Sequence, residues 1–100
     1  MFILRIEHPV PNFDDWKRAF DSDPVGREKS GVRRYRISRA VDNANYVVID
    51  LEFDTANQAE SLLAAMRVVW GRVEGQIMIS PQARIVEVVE SREFAASRSR

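Results

Sequence analysis

The hydrophobic period of this chain switches between two and about 3.6 in an order that few topologies can satisfy. Phe2, Leu4, Ile6 and His8 alternate with Ile3, Arg5 and Glu7, which predicts a strand. Pro9 ends it by removing a ladder donor. Asn12 is a suitable N-cap, Asp14 and Asp15 fit the positive end of a helix dipole, and Phe13, Trp16, Ala19 and Phe20 form one apolar stripe. Asp21 to Gly31 is polar and broken by Pro24, Gly26 and Gly31, so it reads as a loop with room for one helical turn. Val32 to Ala40 reads as a second strand, with Tyr35 and Ile37 opposite Arg34, Arg36 and Ser38. Val41 to Asn45 is a turn by composition, and Tyr46 to Phe53 is the clearest strand, so the two strands form a hairpin. Thr55 with Gln58 fits a capping box for a second helix, whose apolar spacing runs from Ala56 to Trp70 and which Gly71 is expected to end. Residues 71–82 read as a loop closed by Ser80-Pro81, and Ala83 to Glu90 as a last strand.

Strand, helix, hairpin, helix, strand, with one apolar stripe per helix, specifies an α+β fold of ferredoxin-like βαββαβ order. Both helices should lie on one face of a four-stranded antiparallel sheet, with the first strand between the third and the last. Residues 1–90 are expected to form a single domain, and the polar stretch 91–100 a frayed tail.

Several function classes are disfavoured. Fifteen basic and fifteen acidic residues give no net charge, so bulk attraction to nucleic acid or to an anionic membrane is not expected. The absence of cysteine excludes thiolate chemistry and Cys-ligated metal, and no metal or cofactor is expected. After Met1 only Phe2, Ile3 and Leu4 precede the charge of Arg5, too few for a signal sequence or a membrane span, so a cytoplasmic protein is the expectation. Gly26-Arg27-Glu28-Lys29-Ser30-Gly31 fails as a phosphate loop because Glu28, not Gly, precedes Lys29-Ser30. An RNA-binding sheet needs exposed aromatic residues, whereas the third strand shows Tyr46, Val48, Asp50 and Glu52.

Alternation places Arg5 and Glu7, Arg34 and Arg36, and Val48, Asp50 and Glu52 on the face the helices leave uncovered. The strand order then sets two acids between two strands carrying arginine. Such cross-strand pairs are worth roughly 0.2–1 kcal/mol each. Two readings fit: a solvated face held by ion pairs, or charges lining a cavity between two subunits.

His8-Pro9-Val10-Pro11-Asn12-Phe13-Asp14-Asp15-Trp16-Lys17-Arg18-Ala19-Phe20, Val48-Ile49-Asp50-Leu51-Glu52-Phe53-Asp54 and Arg84-Ile85-Val86-Glu87-Val88-Val89-Glu90 carry a family likeness. With the element order, the chain resembles the dimeric α/β-barrel superfamily, which includes the antibiotic-biosynthesis monooxygenase-like proteins. The resemblance implies a homodimer with sheets packed face to face, and a pocket on each subunit between the sheet and the helices or loops. It also implies activities ranging from cofactor-independent oxygenation of aromatic substrates to isomerisation. The haem-degrading branch is not implied, because the one histidine, His8, ends the first strand and none follows it.

His8 is the candidate general acid or base, as the one side chain that ordinarily titrates near neutrality. A strand-end histidine before proline is more often a packing residue. Arg34, Arg36, Tyr46 and Asp50 are candidate contacts for a small, aromatic ligand in a pocket shared with His8, and Trp70 is a candidate wall. Trp16 and Trp70 read first as core by their place in the stripes. Asp50 and Glu52 lie about 7 Å apart along one strand face, where a neighbouring arginine would keep both ionised. Three functions compete on this reading: a small-molecule-binding protein or cofactor-independent enzyme, a non-catalytic homodimeric interaction module, and a ligand sensor or transport module that binds without chemistry.

Overall fold

The computed structural model describes residues 1–73 and 78–95. The elements are β1 (Phe2–Pro9), α1 (Phe13–Asp21), β2 (Arg34–Ala40), β3 (Asn43–Phe53), α2 (Ala56–Val73) and β4 (Gln82–Glu87). The sheet order is β2-β3-β1-β4, with every neighbouring pair antiparallel. This is the ferredoxin-like fold expected from the period switches.

Strand parity builds the core. Leu4, Ile6 and His8 on β1 stand opposite Leu51, Ile49 and Val47 on β3, and all six are buried. Trp16 and Phe20 of α1 and Ala59, Leu62, Leu63 and Trp70 of α2 close over them. Each such aliphatic or aromatic side chain contributes about 1.5–3 kcal/mol by leaving water. The caps are those expected: Asn12 Oδ1 accepts from the Asp15 backbone N–H at 3.0 Å. Thr55 and Gln58 exchange two hydrogen bonds of 3.2 Å each, a reciprocal capping box.

Several boundaries differ from the sequence reading: β1 runs through Pro9, β2 begins at Arg34 rather than Val32, and β4 begins at Gln82 rather than Ala83. β3 begins at Asn43, so the hairpin turns on Val41 and Asp42 alone, with a register irregularity at Arg39/Ala40. Gly71 does not end α2, which runs on to Val73. The buried Trp70 and the half-buried Val73 hold this last turn against the core, which outweighs glycine's helix cost of about 1 kcal/mol. β4 stops at Glu87 rather than Glu90, although the Val88 N–H still donates to the Met1 carbonyl at 3.0 Å. Within the expected loop 71–82, residues 74–77 lie outside the described residues, as do 96–100 of the expected tail.

Two glycines make opposite predictions. Gly31 has φ +102°, and a Cβ there would stand 2.7 Å from Gln58 Nε2, inside the capping box. Gly71 lies in α2, and a Cβ there would meet nothing within 4 Å. Gly31→Ala should therefore destabilise the domain by about 1–3 kcal/mol. Gly71→Ala should stabilise it by about 0.5–1 kcal/mol. Urea unfolding of the two variants checks both signs.

Candidate functional site

Between the sheet and the two helices lies a cavity of about 250 Å³. Ile6 and Ile49 form its floor, and Trp16, Ala19 and Phe20 of α1 form one wall. Met66, Val69, Trp70 and Val73 of α2 form another, while Met78 and the segment holding Pro24, Val25 and Arg27 complete it. The lining is overwhelmingly apolar. Among the described residues its polar lining members are His8, Ser22 and Arg27.

β1 places His8 in this layer because it shares parity with Leu4 and Ile6. The residue is 1% exposed. Its Nδ1 lies 3.0 Å from the Pro9 carbonyl oxygen. A carbonyl only accepts, so Nδ1 carries the proton and Nε2 of the neutral ring presents a lone pair. Among the described residues Nε2 has no hydrogen-bond partner, yet no fully enclosed side-chain nitrogen or oxygen lacks one. Nε2 is therefore reached from the cavity. The edge of the His8 ring meets Trp16 at a centroid distance of 6.0 Å. Burial pushes the His8 pKa down from its ordinary 6.5, against a smaller upward pull from the Pro9 carbonyl, so the ring is neutral at pH 7.

Arg27 lies outside the expected set of site residues, because no spacing in the sequence signals it. Its guanidinium carbon sits 3.8 Å over the Phe20 ring and 5.2 Å from that of Tyr35. Nη1 donates to the Phe20 carbonyl at 2.7 Å and lies 3.5 Å from Asp23 Oδ1. A chain from Phe20 through positive-φ Asp23 and Gly26 folds Arg27 back over α1.

The expected site residues fall on two faces. His8 and Trp70 meet at the cavity. Arg34, Arg36, Tyr46 and Asp50 lie on the opposite face of the sheet, so the expected pocket combining them with His8 does not form. The reason is strand parity: Tyr46 and Asp50 alternate with Val47 and Ile49, which face the helices. On the uncovered face Arg5 holds both Asp50 oxygens, at 2.8 and 3.0 Å. These bonds raise the Arg5 pKa and leave Arg36, in register with Asp50, without an ion-pair partner among the described residues. Arg34 pairs with Glu52 at 3.6 Å. The Tyr46 hydroxyl donates to Glu7 Oε1 at 2.7 Å, which, with desolvation, raises the phenol pKa from 10.0. These contacts match the ion-paired face expected from alternation, although each exposed pair is worth about 1 kcal/mol at most.

The described residues contain no cluster of three or more His, Cys, Asp or Glu side chains suited to a metal ion. Nor do they include a helix long and apolar enough to cross a membrane.

No protein-family model and no curated protein matches the sequence. Solved structures do match the fold. SnoaB, a cofactor-independent oxygenase from Streptomyces nogalater, superposes with a TM-score of 0.73 at 11% identity, covering 90% of this chain and 94% of that one. An arginine-to-serine mutant of MhuD with two manganese protoporphyrin IX molecules per active site gives 0.70 at 13%, covering 94% and 100%. A dimeric ferredoxin-like protein from an uncultured marine organism gives 0.63 at 15%, covering 90% and 96%. Candidate antibiotic biosynthesis monooxygenases are also among the matches. This chain has the fold of that group.

The His8 environment predicts a pH signature. The unfolded chain protonates His8 as pH falls through about 6.5, whereas the folded chain takes up that proton only at lower pH. His8 therefore subtracts stability as pH drops below 6.5, until its folded pKa is passed. His8→Gln should flatten that part of the stability–pH curve relative to wild type in urea titrations at pH 7.5, 6.5 and 5.5. Parallel curves would exclude a buried, neutral His8.

Proposed function

We propose that this protein binds a small, flat, largely apolar molecule in the helix–sheet cavity, with His8 as the polar contact that orients it and receives its proton. One observation carries the reading: His8, whose Nδ1 proton is committed to the Pro9 carbonyl, lines a cavity of about 250 Å³ whose described lining is mostly apolar. That volume is below the roughly 300–1,000 Å³ of pockets for drug-sized ligands, which favours a ligand of one or two rings over a porphyrin.

The chemistry follows from the same geometry. Nε2 accepts a hydrogen bond from a phenol or enol hydroxyl. Burial disfavours a separated imidazolium, so full proton transfer is confined to substrates acidic enough to drive it. Removing that proton leaves a phenolate or enolate and an imidazolium, the first step open to a cofactor-independent oxygenase or isomerase. SnoaB, which shares the fold, is a cofactor-independent oxygenase, and this supports the monooxygenase-like branch by analogy of fold.

The protein acts as a homodimer on this reading. Ile3, Val48 and Val86 interrupt the charged face with apolar surface, and a fold neighbour is a dimeric ferredoxin-like protein. Pairing through that face leaves the cavity of each subunit on the far side of its sheet. Val48→Arg should then convert dimers to monomers in sedimentation velocity, and an undiminished dimer would place the interface elsewhere.

The binding reading is tested with 4-propylphenol and its methyl ether. Titration calorimetry should show the phenol bound about fivefold more tightly in wild type, the worth of one hydrogen bond near 1 kcal/mol. His8→Phe should bind both alike. Quenching of Trp16 and Trp70, the two tryptophans of the chain, should report the same titration, since both line the cavity. Failure of both probes to bind would sink the reading.

A further inference from the structure

Resting on that reading, we infer that the ligand is an acid: its carboxylate is held at the cavity mouth by Arg27, and its apolar body runs inward along an aromatic wall to His8. The wall is continuous. His8 meets Trp16 edge-on at 6.0 Å, Trp16 stacks on Phe20 at 5.2 Å, and the Arg27 guanidinium caps Phe20 at 3.8 Å. A neutral acceptor thus stands at one end of a row of aromatic rings and a cation at the other.

Arg27 is fixed before any ligand arrives. Its side chain is 14% exposed, gripped by the Phe20 carbonyl through Nη1 and lodged between the Phe20 and Tyr35 rings. Holding a rotamer-rich side chain in place beforehand removes an ordering cost from binding. The contacts that hold it all use Nη1 or the guanidinium face. Among the described residues no hydrogen bond engages Nε or Nη2, and neither atom is sealed from solvent or cavity. That free edge is the one through which arginine takes a carboxylate in two parallel hydrogen bonds.

Position and charge fit the same ligand. Arg27 borders the inner cavity and also an outer groove with Asp23, Glu28, Arg33 and Arg34, so it stands where the two meet. Arg33 and Arg34 are already set against Asp54 and Glu52, at 3.7 and 3.6 Å. Asp23 approaches Arg27 only on the Nη1 side. One cation with one open edge suits a monoanion; a phosphate dianion would lack a second positive partner.

The experiment compares 3-(4-hydroxyphenyl)propanoate, its primary amide and 3-phenylpropanoate by titration calorimetry. Wild type should bind the hydroxy acid at least about tenfold more tightly than the amide, as expected of a charge-assisted bidentate contact. Added salt should erode that preference without affecting the amide. Arg27→Gln should bring the acid-to-amide ratio near one while amide affinity stays, a pattern that general loosening of the loop would not produce. Arg27→Lys, which keeps the charge without the fork, should retain part of the preference even if the glutamine variant folds poorly. Loss of the hydroxyl in 3-phenylpropanoate should weaken binding in wild type but not in His8→Phe. Equal affinity for acid and amide in wild type overturns the inference. If 4-propylphenol binds and neither the acid nor the amide does, Arg27 is excluded as a ligand contact and the cavity reading survives. If no probe binds, both fall together.

Discussion

A strand side chain can face only one side of its sheet, and β1 sets its single imidazole on the side shared with Leu4 and Ile6. From that parity the rest of the site follows. The ring is taken out of water by Trp16, its Nδ1 proton is committed to the Pro9 carbonyl, and its Nε2 is left to the cavity. A shift of β1 by one residue would exchange His8 for Glu7 and expose Leu4 and Ile6. The buried pairs of β1 with β3 resist such a slip, so the packing that stabilises the domain also fixes the orientation of His8.

The same parity decides how much of the molecule is legible in its sequence. Alternation and capping chemistry are local, and they locate all six elements, both N-caps and the ion-paired outer face, while the sheet order follows from the fold that the element order specifies. What escapes them is tertiary. Gly71 reads as a helix end, yet the burial of Trp70 beside it carries α2 another turn. Asn43 to Asn45 read as turn residues, yet pairing across the hairpin draws them into β3. His8 reads as the polar candidate on β1, but grouping it with Tyr46, Asp50, Arg34 and Arg36 ignores the parity those residues announce. Arg27 is invisible for a different reason: it reaches back from an irregular loop to Phe20, seven positions earlier in the chain, and no periodicity encodes that return.

The two polar regions of the protein therefore differ in physical character. On the outer sheet face, arginines and carboxylates satisfy one another under solvent, where screening keeps each pair weak. Arg5 with Asp50, and Tyr46 with Glu7, are arranged to stabilise strand pairing and to specify how another surface could register against it. In the cavity, polar groups are few and surrounded by hydrocarbon. There a single acceptor or cation discriminates strongly among ligands, because a mismatched polar group has no water to compensate it. Chemistry is favoured where charges are scarce.

The cavity itself is costly to keep. Residual core voids created by truncation destabilise by about 24 cal/mol per Å³ where they are enclosed; this cavity opens at its mouth, so only its inner, enclosed part carries a cost of that kind. Domain stabilities are only about 5–15 kcal/mol. Larger apolar side chains at Ala19 or Val69, both in the lining, would fill part of the space with hydrocarbon. A small domain that leaves such a space open beside a buried, half-satisfied histidine forgoes stability that its own composition makes easy to recover. On the proposed reading an occupant that meets Nε2 would restore part of it, by supplying both packing and a hydrogen bond. The cost of the void is thus an argument for an occupant, and the lone pair facing it specifies one that can donate.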